Sequence, residues 1–265
     1  MKFIRILYKI PALIILSIIG MILMGAFSSR DKSLKNKGIP TLKQKQVRKW
    51  WLATVIKIVG LNFTVKGDVP SPDQPALWVA NHASWLDIPV VGSMGAGFLS
   101  KAEVRKWPVI GWLGEKGGTV YIKRGGVNAS QRASQEIANK INAGDNILVF
   151  PEGTTSTAGD VRRFHARIFA PVMDHNLAVQ PIAVQYLNDK GEPHPKILWQ
   201  DQSFMSNLLG IIGESSINVI LTFLPLIPAG EFSERKRIAE LCENQIKSIV
   251  VKKVSMESKA ISSEQ

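Results

Sequence analysis

Thr119–Phe150 reads TVYIKRGGVNASQRASQEIANKINAGDNILVF, and the changes of period inside it decide the fold class. Thr119–Lys123 is rich in β-branched and aromatic residues and predicts a strand. Asn128 with Gln131 predicts an N-cap box, Ile137 and Ile141 supply one apolar helical face, and Gly144 provides the stop. Asn146–Phe150 is then a short apolar run of strand length. Similar runs occur at Ala76–Ala80, Gly97–Ser100, Ala178–Gln185 and Asn218–Phe223. Strand–helix–strand alternation predicts an α/β layered domain, here with a mixed sheet. Near the C-terminus, Phe232–Val251 has the pattern of an amphipathic helix with Ile238, Leu241, Ile246 and Ile249 inward.

Asp68-Val-Pro-Ser-Pro-Asp-Gln-Pro75 is dense in chain breakers. It divides the chain into residues 1–70, a domain at residues 71–253 and a polar tail at residues 254–265. Charge divides at the same place. Residues 1–70 hold 13 Lys and Arg against Asp31 and Asp68, so +11 of the net +12 lies there. These cations flank Ile10–Ser29, IPALIILSIIGMILMGAFSS, which is uncharged between Lys9 and Arg30. In a helix this run reaches about 30 Å, enough to cross a hydrocarbon core. It exceeds the apolar region of a cleaved signal peptide, and no A-x-A site follows. Lys2, Arg5 and Lys9 before it balance Lys32, Lys35 and Lys37 after it, so a spanning anchor and an in-plane helix both stay open.

Gln46–Gly60, QVRKWWLATVIKIVG, places Val47, Trp51, Val55 and Ile58 on one helical face beside Trp50. Lys43, Lys45, Arg48, Lys49 and Lys57 form its basic rim. The pattern suits a bilayer interface or a helix packed on the domain. Cations beside an apolar run point to an anionic lipid surface, at about 1 kcal/mol each. The near-neutral remainder argues against a nucleic-acid partner.

Cys242 is the single cysteine, which excludes an internal disulfide and a thiolate metal cluster. The chain has no GxxxxGK[ST], GxGxxG, HExxH or GxSxG, which removes P-loop, dinucleotide, zincin and serine-hydrolase readings. Two stretches remain. In WVANHASWLDIPV (Trp78–Val90), a strand is followed by His82, a short turn and Asp87. The chain can curl back so that the carboxylate accepts from Nδ1–H, fixing the tautomer and freeing Nε2 as a base. Asn81 and Ser84 offer local hydrogen bonds, while Trp85 and Leu86 are packing residues. In FPEGTTS (Phe150–Ser156), a strand breaks at Pro151 and releases Glu152. Gly153 lets backbone approach a ligand, and Thr154, Thr155 and Ser156 offer hydroxyls and N–H groups.

With GTVYIKR (Gly118–Arg124) and VQPIAV (Val179–Val184), these stretches resemble the glycerolipid acyltransferase family, 1-acyl-glycerol-3-phosphate acyltransferase-like. The resemblance runs from Leu77 to Tyr186. It implies that His82 is the general base and Asp87 its orienting partner, in transfer from acyl-CoA or acyl carrier protein to a lysolipid hydroxyl. It implies Arg124 and Lys101 as contacts to acceptor phosphate, and an acceptor site shaped by Glu152, Gly153 and the adjoining Thr154 and Thr155. It also implies an acyl pocket at Pro181 and oxyanion donors among the N–H groups near Gly153. No metal and no cofactor beyond the thioester is implied. The partners are membrane lipids and the location a bacterial inner membrane, with the site on the cytoplasmic side. The family's lysophosphatidic-acid enzymes often read FPEGTRS, whereas this chain has Thr155. Either Arg162 or Arg163 substitutes, or the acceptor is another lysolipid such as lyso-ornithine lipid. The sequence ranks 1-acyl-glycerol-3-phosphate first. A reading from another class is an inactive membrane-binding scaffold, and oligomeric state is left open.

Overall fold

The computed structural model describes residues 1–28, 38–123, 128–156, 159–197 and 203–251. Among these, a seven-stranded mixed sheet comprises β1 (Leu61–Lys66), β2 (Leu77–Ala80), β3 (Ala96–Lys101), β4 (Val120–Ile122), β5 (Asn146–Val149), β6 (Val179–Leu187) and β7 (Ile217–Phe223). The order is β1-β7-β6-β2-β5-β3-β4. Strands β6, β2, β5, β3 and β4 are parallel, while β7 pairs antiparallel with β6 and carries β1 parallel to itself. The helices are α1 (Lys2–Ala26), α2 (Leu42–Val59), α3 (Asp87–Gly92), α4 (Ile110–Lys116), α5 (Ala129–Asn142), α6 (Ala170–His175), α7 (Phe204–Ile212) and α8 (Arg235–Val250).

Alternation along β2 builds two cores. Trp78 and Ala80 join Val55, Ile56 and Val59 of α2 and Val90 and Val91 of α3. Leu77 and Val79 join Ile137 and Ile141 of α5, Val172 of α6 and Ile246 of α8. Helices thus cover both faces of a sheet whose central strand is wholly buried, as an α/β architecture requires.

Each of the six apolar runs appears as a strand, and α8 turns Ile238 and Ile246 inward, with Leu241 and Ile249 packing beside them. Strand β1 was not anticipated. In LNFTVK only Leu61 is fully buried, because β1 is an edge strand, so its pattern resembles a polar connector. The sheet therefore takes its edge strand from before the boundary expected near residue 70. The stop at Gly144 is present, with φ 75 just beyond α5. The expected N-cap box is not: Asn128 is the N-cap but lies at φ 58, and its side chain makes no cap hydrogen bond.

Helix α1 is bound to the domain along its whole length. Arg5 donates to Gly213 O, and the buried Lys9 Nζ donates to Val59 O (2.7 Å) and Glu214 O (2.9 Å). Trp51 Nε1 donates to Leu16 O, and Gln44 Nε2 to Met24 O. These pairs run in opposite directions along the two helices, so α1 and α2 form an antiparallel hairpin. One stripe of α1, Lys9, Leu16, Gly20 and Met24, is buried, while Ile4, Leu7, Ile14, Ile15, Ile18 and Ile22 remain exposed. By length and hydropathy α1 could cross a membrane.

Helix α2 corrects the expected basic rim. It is sandwiched between α1 and the sheet, and Arg48 points inward, 5% exposed at the side chain. Its guanidinium forms a two-bond fork with Asp145 (2.7 and 3.0 Å) and donates to Gly117 O and Gly95 O. Lys45 also points at the domain, donating to the carbonyls of Ala143 and Gly144 beyond the end of α5. Both cations fasten the hairpin instead of facing lipid.

Candidate active site

Strand β2 ends where its ladder is replaced by a side chain. Asn81 Oδ1 accepts from Val184 N (2.8 Å) and its Nδ2 donates to Val184 O (3.0 Å), so the amide grips β6. This is a contact across the sheet, not the local one expected. His82 follows at the C-terminal end of β2, a common location for ligand sites in open α/β sheets.

Residues 83–86 turn the chain back, and Asp87 opens α3. The two side chains meet: His82 Nδ1 lies 2.7 Å from Asp87 Oδ2. The same oxygen accepts from Ala83 N (2.8 Å) and Ser84 N (2.9 Å). Oδ1 accepts from the Tyr186 hydroxyl at 2.6 Å. Asp87 is fully buried, whereas the His82 side chain is 21% exposed. A fully hydrogen-bonded carboxylate can accept only from Nδ1–H, which leaves the Nε2 lone pair on the imidazole's other edge.

The FPEGTTS loop grips the peptide groups on both sides of His82. Glu152 Oε1 accepts from His82 N (2.7 Å), and Oε2 accepts from Arg162 N (2.9 Å). Ser156 donates through N (2.7 Å) and Oγ (3.2 Å) to His82 O. The Phe150 ring stacks on the imidazole, with centroids 4.2 Å apart and planes 16° from parallel. Glu152 is 3% exposed, and burial pushes its carboxyl up to about 7 against the opposing pull of the two N–H groups.

The structure thus brings together His82, Asp87 and Glu152. It also shows where the Ser156 hydroxyl and N–H go, to His82 O, and adds Phe150 and Tyr186, which carry no site role in the sequence reading. Gly153 has φ 72, and a Cβ there would come 3.4 Å from the His165 ring, so its freedom serves a turn against His165. Its N–H is donated to Phe150 O (3.2 Å), which removes it from the expected oxyanion donors. Thr154 is exposed and Thr155 half-buried. Lys101 is exposed at the end of β3, opposite Ile122. Pro181 is buried in β6 opposite Val79, three residues before the Val184 that Asn81 grips. The side chains of Arg162 and Arg163 are exposed. Arg124 lies outside the described residues.

Strand period offered the one signal for Tyr186. It stands two residues after Val184, on the same face of a strand that runs parallel to β2 and continues past its end. Its phenol could have been assigned to the site only once β6 was known to lie beside β2.

The family model described as Acyltransferase matches residues 62–185. A lyso-ornithine lipid O-acyltransferase of Pseudomonas aeruginosa is 38% identical over 227 residues, covering 85% of this chain and 86% of that one. A lyso-ornithine lipid O-acyltransferase of Brucella abortus is 33% identical, covering 66% and 71%. The 1-acyl-sn-glycerol-3-phosphate acyltransferase of Neisseria gonorrhoeae is 27% identical, covering 68% and 72%. The crystal structure of the 1-acyl-sn-glycerophosphate (LPA) acyltransferase, PlsC, from Thermotoga maritima superimposes with a TM-score of 0.68 at 21% identity, covering 96% and 98%. That likeness shows the fold.

Proposed function

Because this chain belongs to the acyltransferase family, we propose that it transfers a fatty acyl group from a thioester to a lysolipid hydroxyl, with His82 as general base. The observation that carries the assignment is the contact of Nδ1 with a buried, fully hydrogen-bonded carboxylate, leaving the Nε2 edge for substrate. Nε2 takes the acceptor's hydroxyl proton as the oxygen attacks the thioester carbonyl. When the tetrahedral intermediate collapses, the carbon–sulfur bond breaks and the imidazolium returns the proton to the departing thiolate. Glu152 and Ser156 hold the peptide groups that carry the base; they fix its position and leave its chemistry unchanged. Acyl-CoA or acyl carrier protein is the donor, and the reaction needs no other cofactor.

For the acceptor, a lysolipid with an ornithine headgroup now ranks ahead of 1-acyl-glycerol-3-phosphate, reversing the sequence's order. Two observations support this. The 38% and 33% identical relatives carry the lyso-ornithine name. Thr155 occupies the position where phosphate-directed members often carry arginine. The phosphomonoester reading retains support from the 27% identical relative and from the exposed Lys101.

The hairpin supports attachment in the plane of the membrane. Removing α1 to span a bilayer would break the bonds of Lys9, Gln44 and Thr41 that join it to the domain, whereas lying flat keeps them and buries the exposed isoleucine face. A soluble thioester donor places the catalytic side toward the cytoplasm, at the bacterial inner membrane.

The test is acyl transfer by purified protein from a labelled donor to a panel of lysolipids, resolved by product mass. His82→Ala should abolish transfer and keep vesicle binding. Substantial residual activity would remove His82 from the mechanism, and product only from 1-acyl-glycerol-3-phosphate would restore that acceptor.

A further inference from the structure

We infer that Tyr186 is a positioning residue of the acyl-transfer centre, fixing the orientation of the Asp87 carboxylate and through it the His82 imidazole. The inference rests on the assignment of His82 and Asp87 as base and orienting group.

The two Asp87 oxygens are not equivalent. Oδ2 accepts from His82 Nδ1, Ala83 N and Ser84 N, all from its own turn. Oδ1 accepts from Tyr186, 99 residues away on β6. Were that hydroxyl lost, Oδ1 would be a fully buried anionic oxygen with no donor from its own turn. The carboxylate could then swing to share the three remaining donors, moving the oxygen that holds Nδ1–H. The phenol is itself held in place. Tyr186 is 4% exposed, its carbonyl accepts from His194 N (2.9 Å), and Asn81 clamps the same strand two residues earlier. One strand thus ties the end of β2, through Val184, to the carboxylate, through Tyr186.

Burial, and then the facing Asp87 charge, hold the phenol well above its ordinary value. It therefore stays a donor throughout the working pH range. Each titratable group around the centre comes from a different element. Asp87 comes from α3, Glu152 from the loop after β5 and Tyr186 from β6, with His165 beyond Gly153. A phenol donating to Oδ1 withdraws charge from the carboxylate. Its loss strengthens the hold on the imidazole proton, and the acid limb of the rate profile moves up.

The experiment compares Tyr186→Phe, the protein with 3-fluorotyrosine at position 186, and His82→Ala. Each is assayed in micelles with thioester donor and lysolipid across pH 5.5 to 9, beside thermal melts. Tyr186→Phe should lower kcat about tenfold with acceptor KM unchanged, and raise the acid limb of kcat/KM by about half a pH unit. The fluorinated phenol, a stronger donor of nearly the same size, should move that limb down. Opposite shifts from two near-isosteric side chains support positioning, because a packing role moves neither limb. An unmoved limb in both, whether or not the melting temperature falls, overturns the inference. If Tyr186→Phe does not fold, the direction of the fluorotyrosine shift decides. An active His82→Ala protein overturns the underlying assignment itself, whereas an inactive one with unshifted Tyr186 variants overturns the role of Tyr186 alone.

Discussion

Arg48→Met separates the two roles that a cation in α2 can have. Arg48 reaches through a gap bounded by Gly97, where a Cβ would come 3.0 Å from Nη1. Its two terminal nitrogens make four bonds: Nη1 to Gly117 O (2.6 Å) and Asp145 Oδ2 (3.0 Å), Nη2 to Gly95 O (2.8 Å) and Asp145 Oδ1 (2.7 Å). Both side chains of the pair are 5% exposed or less. Methionine would leave a buried carboxylate and two carbonyls without these donors, and breaking such a pair costs about 3–5 kcal/mol. For a domain of this size that is a fall in melting temperature of about 10 °C. Adding Asp145→Leu should recover the part of the loss owed to the bare carboxylate, while the Gly117 and Gly95 carbonyls stay without their donors. Lys49→Gln, at an exposed position of the same helix, should leave the melt unchanged and weaken binding to anionic vesicles by about 1 kcal/mol. Thermal melts in micelles and vesicle sedimentation read the two effects separately. Arg48 is a lipid-facing cation after all if Arg48→Met melts within a degree or two of the parent while its vesicle binding drops as Lys49→Gln does.

Glu152 makes folding pH-dependent. Its carboxyl is raised from 4.5 to about 7, so the folded state holds the proton more tightly than the unfolded chain. Its contribution to stability is full below pH 4.5 and declines as pH rises through about 7, by up to about 3 kcal/mol in all. Unfolding followed at pH 5.5 and 8 should show this decline in the parent and a flatter profile in Glu152→Gln; parallel profiles would assign the slope to other groups. At Gly20, a Cβ would come 2.7 Å from the Trp51 ring, so Gly20→Leu should force α1 off α2 at a cost of about 1–3 kcal/mol. An unaltered melt would show that the hairpin seam is looser than its geometry implies.

What could be read from sequence was what neighbouring residues decide among themselves. HxxxxD places two side chains at either end of one turn, so their meeting needs only the turn to form, and WVANHASWLD contains all of it. The strands were visible because their inward residues cluster in short apolar runs. Strand β1 escaped because an edge position removes that clustering. What the sequence does not show concerns groups whose partners are far away in the chain. The helical pattern puts Arg48 on a basic rim beside one apolar face, but a helix held between α1 and the sheet has two buried sides. Its counter-charge, Asp145, stands 97 residues away. The family resemblance implies Glu152 as a residue that shapes the acceptor site. The amides that take its oxygens belong to His82, 70 residues earlier, and Arg162, 10 later. Asn81 has local partners within reach in sequence, yet its bonds go to Val184. In each case a partner stands far along the chain. Desolvation explains the pattern. A buried charge must find donors or acceptors, and in a layered sheet the nearest belong to the neighbouring strand, which parallel connections place far along the chain.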